Sequence, residues 1–335
     1  MSAPEPRENP RLLGHDAAER VILDAVEAGR VHHAWLITGP VGVGKATLAY
    51  RFARRLLAGR GHGQGPAVGP DDPVFRRVAA GTHADLLAVE RAWDEKRKRL
   101  RAEIVVDDVR AVADFLRLTP AEGGWRIVVL DGAESLNRNA ANALLKVLEE
   151  PPPRAVLLLT CAAPGRLLPT IRSRCRRLRL AGLDTGLVER LLADYLPEMG
   201  GAERSRLAEL AEGSPGRALA LAGEQGVALA ALVGEVLGAL PELPASRAYE
   251  VADRVGRTEA GFGTFMELLR DGVGRAVRDV VRGRASGEQQ RLVETRPLAE
   301  WGDLWQALAR LQDETERFNL DKRHAIVSGL ELLKP

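Results

Sequence analysis

The sequence predicts an α/β fold built on a parallel sheet and followed by helices only, and three observations predict it. Short apolar runs of strand length recur between helix-period segments as far as Leu180. One of these runs, Ala34 to Thr38, passes directly into the glycine-rich turn Gly39-Pro40-Val41-Gly42-Val43-Gly44-Lys45 and then a helical pattern. Beyond Leu180 the alternation stops and the pattern stays amphipathic and helical.

Composition narrows the class. The 335 residues suffice for about two domains, or three small ones. Lys+Arg 48 against Asp+Glu 46 leaves a formal charge of +2, so any nucleic-acid contact would have to be local. Aromatics at 4% disfavour a base-stacking platform. Two cysteines, Cys161 and Cys175, make no disulfide framework and suit a reducing compartment. No apolar run is long enough to cross a bilayer and the polar start lacks a signal-peptide core, so a cytoplasmic protein with no membrane partner is expected.

Taken in order, residues 1–11 read as a disordered lead. Asp16 is placed to cap a helix whose Val21, Ile22, Ala25 and Val26 face inward. His32 and His33 precede the strand Ala34 to Thr38. The glycine turn then matches the GxxxxGK of a P-loop, in which backbone N–H groups converge on phosphates and the lysine neutralises them. Gly39, Gly42, Gly44, Lys45, Ala46, Thr47 and Asp131 are therefore candidate nucleotide-binding residues. Ala46 occupies the place where a Ser or Thr hydroxyl would hold Mg²⁺, and Thr47 lies about 100° further round the helix. Gly59 to Asp72 reads as a surface loop, and His62 and His83 are too isolated for a metal site. Asp85 to Glu90 is a strand, followed by the densest basic run, Lys96 to Arg101, which suits a solvated loop tip or a phosphate contact. Ile104-Val105-Val106 leads into a helix capped by Asp107 or Asp108, with Val109, Val112, Phe115 and Leu116 inside.

The central stretch runs from Arg126 to Cys175. Ile127 to Leu130 reads as a buried strand presenting Asp131 at its tip. Asn137 caps a helix with Ala141, Leu144, Leu145 and Leu148 at helical spacing, and Pro151-Pro152-Pro153 stops it. Ala155 to Thr160 is a second buried strand, and a connection leads to Ser173-Arg174-Cys175 and an alternating Arg/Leu run.

Two strings here, Asn142-Ala143-Leu144-Leu145-Lys146-Val147-Leu148-Glu149-Glu150-Pro151-Pro152 and Ile171-Arg172-Ser173-Arg174-Cys175, resemble the bacterial sliding-clamp loader family of AAA+ proteins. The resemblance implies an AAA+ P-loop parallel-sheet domain over 12–181, a small helical lid domain over 182–225 and an all-helical C-terminal oligomerisation collar over 226–335. It implies ATP or ADP as ligand and places His32 and His33 near the base. The four-cysteine zinc module of the family's ATPase subunits has no counterpart, so no zinc is expected. The lid's γ-phosphate-sensing arginine falls on Gly216, with Arg217 one place off. Where hydrolytic members have Asp followed by Glu, this chain reads Asp131-Gly132-Ala133-Glu134, which implies weakened Mg²⁺ binding and little or no hydrolysis at its own site. Arg174, by contrast, matches an arginine finger acting in trans. The implied partners are ATPase subunits and the delta subunit of a hetero-oligomer, with the sliding clamp and primed DNA reached through that complex.

Two other classes stay open at the level of sequence. A self-sufficient P-loop ATPase is supported by Lys45 and Asp131 and opposed by Ala46 and Gly132. A nucleic-acid-binding module would use Lys96 to Arg101 and the arginines from Arg275 to Arg284.

Overall fold

A computed structural model describes residues 4–59, 68–95, 99–223, 226–256 and 261–335. The chain divides into two compact units, residues 1–217 and 218–335.

The first unit runs α1 (Asp16–Glu27), β1 (Ala34–Thr38), α2 (Lys45–Leu57), α3 (Pro73–Ala79), β2 (Leu86–Val89), β3 (Trp93–Asp94), β4 (Arg99–Leu100), α4 (Val106–Arg117), β5 (Arg126–Leu130), α5 (Arg138–Glu149), β6 (Ala155–Cys161), α6 (Pro169–Arg174), β7 (Arg176–Arg179), α7 (Thr185–Tyr195) and α8 (Gly201–Leu210). Five strands form one parallel sheet in the order β2-β5-β6-β1-β7. β5 and β6 are buried along their whole length because both sheet faces are covered, which is why their sequences read as continuous apolar runs. Alternate residues feed two cores. Trp35, Ile37, Ile127, Val129, Val156 and Leu158 pack with α1, α2 and α3, whereas Leu36, Val128, Leu130, Leu157 and Leu159 pack with α4, α5 and α6. The order brings the carboxyl ends of β1, β5 and β6 side by side, the usual place for a ligand in an open parallel sheet.

Caps set several boundaries. Asn137 Oδ1 accepts from Ala140 N at 2.9 Å, as its position predicts, and α5 ends at Glu149 ahead of the prolines. Two other caps differ from expectation. Asp16 is the first helical residue of α1, and the preceding His15 turns its ring to the Val43 carbonyl at 2.8 Å. Asp107 and Asp108 lie inside the first turn of α4, where Asp108 reaches back to Val105 N at 2.9 Å.

The lead expected to be disordered is held over residues 7–11. Arg54 donates to the carbonyls of Arg7 and Asn9, each at 2.9 Å, while Arg51 donates to the Pro10 carbonyl and pairs with Glu19, both at 2.6 Å. Asn9 meets the Tyr195 hydroxyl at 3.1 Å and Arg11 meets Asp194 at 2.6 Å. Arg54 is almost fully buried over the Phe75 ring, and burial followed by repulsion from Arg51 brings its pKa down to about 10.

The second unit is helical: α9 (Pro215–Gly223) carries the chain into α10 (Gly226–Ala239), α11 (Ala245–Val255), α12 (Gly261–Val281), α13 (Gly287–Glu294), α14 (Leu298–Phe318) and α15 (Lys322–Leu332). Phe262, Phe265, Met266 and Leu269 of α12 are buried, as are Trp301 and Leu308 of α14 and Ile326 and Leu330 of α15. Pro241 and Pro244 fall between α10 and α11. No single described helix is long and apolar enough to cross a membrane.

Candidate functional site

The P-loop joins β1 to α2 at the carboxyl edge of the sheet. Gly42 stands at φ +72°, where a Cβ would lie 2.5 Å from Ser214 Oγ and 3.0 Å from Gly216 Cα, so both backbone conformation and space require glycine. The loop is clasped from that side: Ser214 Oγ donates to the Val41 carbonyl at 2.7 Å and Gly216 N to the Gly42 carbonyl at 2.9 Å. These contacts use the loop's carbonyls rather than its N–H groups. A side chain at 216 would start 2.8 Å from Gly42 Cα, so this packing has no room for a sensing arginine where the family pattern puts one.

Lys45 opens α2 just after Gly44. Its ammonium donates to the Gly39 and Pro40 carbonyls at 3.0 and 2.7 Å. Burial lowers its pKa, and the negative fields of Glu134 and Asp131 oppose that shift. Ala46 offers no hydroxyl, and Thr47 is buried on α2.

Beyond β5, Asp131 Oδ1 accepts a hydrogen bond from Thr160 Oγ1, which itself accepts from Gly132 N at 3.0 Å. Thr160 therefore locks the tips of β5 and β6 together, a role the sequence reading missed. Its one signal is a hydroxyl in an otherwise apolar run. Gly132 is left-handed at φ +77°, and the following 3₁₀ turn, Ala133–Ser135, brings Glu134 to the end of β6. Glu134 Oε1 accepts from Ala162 N at 3.0 Å, and its carboxylate faces the Cys161 thiol. Burial and then the neighbouring Glu134 push the Cys161 thiol up to about 12, so it stays protonated. Glu134 thus stands in the electrostatic field of Lys45 and beside Cys161.

His32 and His33 are not part of this constellation. They stack with centroids 4.4 Å apart at the amino end of β1, whereas the P-loop follows its carboxyl end. His32 Nδ1 is engaged by Ala34 N at 3.1 Å, and burial followed by His32 lowers the His33 pKa.

Arg174 lies on a different element. It ends α6, a helix riveted to the α5 side of the sheet by the buried Ile171, with the buried Cys175 next in sequence. Burial pushes the Cys175 thiol up to about 12. The Arg174 guanidinium meets Glu149 Oε1 at 2.8 Å and donates to the Thr170 carbonyl at 3.0 Å. Its side chain is half-buried, at 35% exposure.

Of the basic run, Lys96, Arg97 and Lys98 lie outside the described residues, as does His62; Arg99 and Leu100 form β4, paired antiparallel with β3 in a hairpin the sequence did not suggest. No group of three or more His, Cys, Asp or Glu among the described residues could hold a metal.

Residues 14–184 match the family described as "DNA polymerase III, delta subunit". The DNA polymerase III subunit delta' of Pseudomonas aeruginosa is 43% identical over 194 residues, which is 57% of this chain and 56% of that protein. The subunit tau of Escherichia coli is 33% identical over 214 residues, 63% of this chain and 32% of that one. The chain thus spans about half of the first relative and a third of the second. Among solved structures, a DNA polymerase III gamma subunit-related protein from Thermotoga maritima aligns at 20% identity and a TM-score of 0.42 over 94% of this chain and 98% of that one.

Proposed function

The chain belongs to the DNA polymerase III delta subunit family, and from that premise we propose that it acts as a delta-prime-type clamp-loader subunit: a stator that lends Arg174 in trans to a neighbouring ATPase subunit. The observation that carries this reading is a partly exposed guanidinium held by two acceptors at the end of a helix anchored by the buried Ile171. It stands beside a home site whose second carboxylate position is a left-handed glycine. An arginine delivered to a neighbour's γ-phosphate neutralises charge that builds up in the transition state and is worth about 10³–10⁵ in rate.

The home site fits a nucleotide's phosphates better than its metal. Gly39 to Lys45 offers a glycine turn, a helix N-terminus and an ammonium, so ATP or ADP would be held there by Gly39, Gly42, Gly44 and Lys45, with Ala46 and Thr47 opening the helix behind them. The Mg²⁺ side is weaker: Ala46 supplies no ligand, which leaves Asp131, with one carboxylate oxygen clear of Thr160, as the group that would face the metal. No hydrolytic step is assigned to this site. The helical unit from Ala218 serves as the collar that joins ATPase and delta subunits, and the clamp and primed DNA are reached through that assembly.

The test is steady-state ATP turnover of the assembled complex carrying wild-type chain or Arg174→Ala, normalised to complex formed. Assembly should be unchanged, since one exposed side chain adds little to a multi-domain interface, and DNA- and clamp-stimulated turnover should fall. Equal turnover would leave this chain a scaffold. A second reading, a self-sufficient ATPase, draws on the Glu134 carboxylate in the electrostatic field of Lys45. Turnover near one per second by the isolated chain, about the slow end of ordinary enzymes, would decide for it.

A further inference from the structure

Glu149 and Glu150 sit at the carboxyl end of α5, where the helix dipole is negative and carboxylates are disfavoured. Glu149 is offset by one specific cation, the Arg174 guanidinium, 2.8 Å away. Both side chains are partly exposed, at 35% and 50%, so the pair contributes little to folding stability. Its effect is geometric. Thr170 O takes one terminal nitrogen of Arg174 and Glu149 takes the other, so a long side chain with many rotamers is held from two sides. The two holders belong to elements already locked together, because Ile171 of α6 packs into the same core as Leu144, Val147 and Leu148 of α5.

We infer that Glu149 is a positioning residue for Arg174: it fixes the guanidinium's direction before a neighbour's nucleotide arrives. The inference rests on the finger reading and deepens it. Pre-organised charge costs no reorganisation when the reaction occurs, so loss of Glu149 should slow the chemical step rather than weaken ATP binding.

The experiment compares ATP turnover of the assembled complex containing wild-type chain, Glu149→Gln, Arg174→Ala and the double variant, with kcat and KM for ATP separated. Thermal unfolding of each free chain verifies that it is folded. Glu149→Gln should lower kcat about five- to tenfold with KM unchanged, and the double variant should be no slower than Arg174→Ala alone. A Glu149→Gln complex as fast as wild type, or faster, overturns the positioning role while Arg174→Ala still reports a finger. Losses that multiply in the double variant overturn it as well, since Glu149 would then act apart from Arg174. If Arg174→Ala itself changes nothing, the finger reading has failed first.

Discussion

At the tip of β5 the backbone turns left-handed at Gly132, and the next carboxylate, Glu134, is carried over to the end of β6 and tied to Ala162 N. At the end of α6 the reverse holds: Arg174 keeps helical backbone, a buried anchor one turn back in Ile171, and acceptors for both terminal nitrogens. The two regions share one sheet and one pair of cores, so the difference is not one of fold quality. In the first, the main chain itself carries the carboxylate away from the strand tip. In the second, the main chain supports an arginine held by two acceptors. Such a contrast is what a subunit needs if it completes a neighbour's site and does not use its own.

The largest effect available to break this contrast is on the arginine side. Arg174→Lys keeps the charge but loses the planar fork, and turnover of the complex should stay within about tenfold of Arg174→Ala. Recovery to the wild-type rate would mean that a point charge suffices.

On the home side, Gly216→Arg installs the sensing arginine that the family pattern has there. Because its Cβ would meet the Gly42 backbone at 2.8 Å, the expected result in urea unfolding is a loss of about 2 kcal/mol and no gain of activity. A stable variant with new ATPase activity would show that the clasp gives way easily. Gly132→Glu should cost somewhat less, about 1–2 kcal/mol for a non-glycine residue in left-handed backbone, and should not start hydrolysis because the new carboxylate inherits the wrong direction. Appearance of turnover would place the defect in the missing carboxylate alone.

The smallest effect tests the histidine pair at the amino end of β1. Burial and His32 keep the His33 ring neutral in the folded chain, whereas the unfolded chain binds its proton as pH falls through 6.5. Stability should therefore be lost from that pH downward to the lower folded pKa. His33→Asn should lose less than wild type between about pH 7.5 and about pH 5.5 in urea titrations. Equal losses would exclude His33 as a contributor.

Much of the architecture was legible in the residues. The three buried strands β1, β5 and β6 show as apolar runs, Asn137 and the three prolines bound α5, and GxxxxGK sits where strand meets helix. The illegible parts depend on groups a sequence does not display. Arg51 and Arg54 hold the lead through backbone carbonyls, which every residue possesses, so nothing in Arg7 to Pro10 announces the contact. Thr160 matters because its hydroxyl faces Asp131 across two neighbouring strands, a register that only the sheet order supplies. Glu134 reaches its place through a 3₁₀ turn set by one glycine dihedral, and Glu149 reads as an ordinary helix-end residue until α6 folds against α5. Both carboxylates were in view; their directions were not.

The most direct measurement is single-turnover ATP hydrolysis by the complex, with equal amounts assembled from wild-type or Arg174→Ala chain. The finger reading predicts that one nucleotide equivalent, the one bound at the adjoining subunit, slows by about 10³-fold while the others hydrolyse at their former rate. If every equivalent is consumed at the wild-type rate, Arg174 does not act on a neighbour's nucleotide and the central claim is wrong.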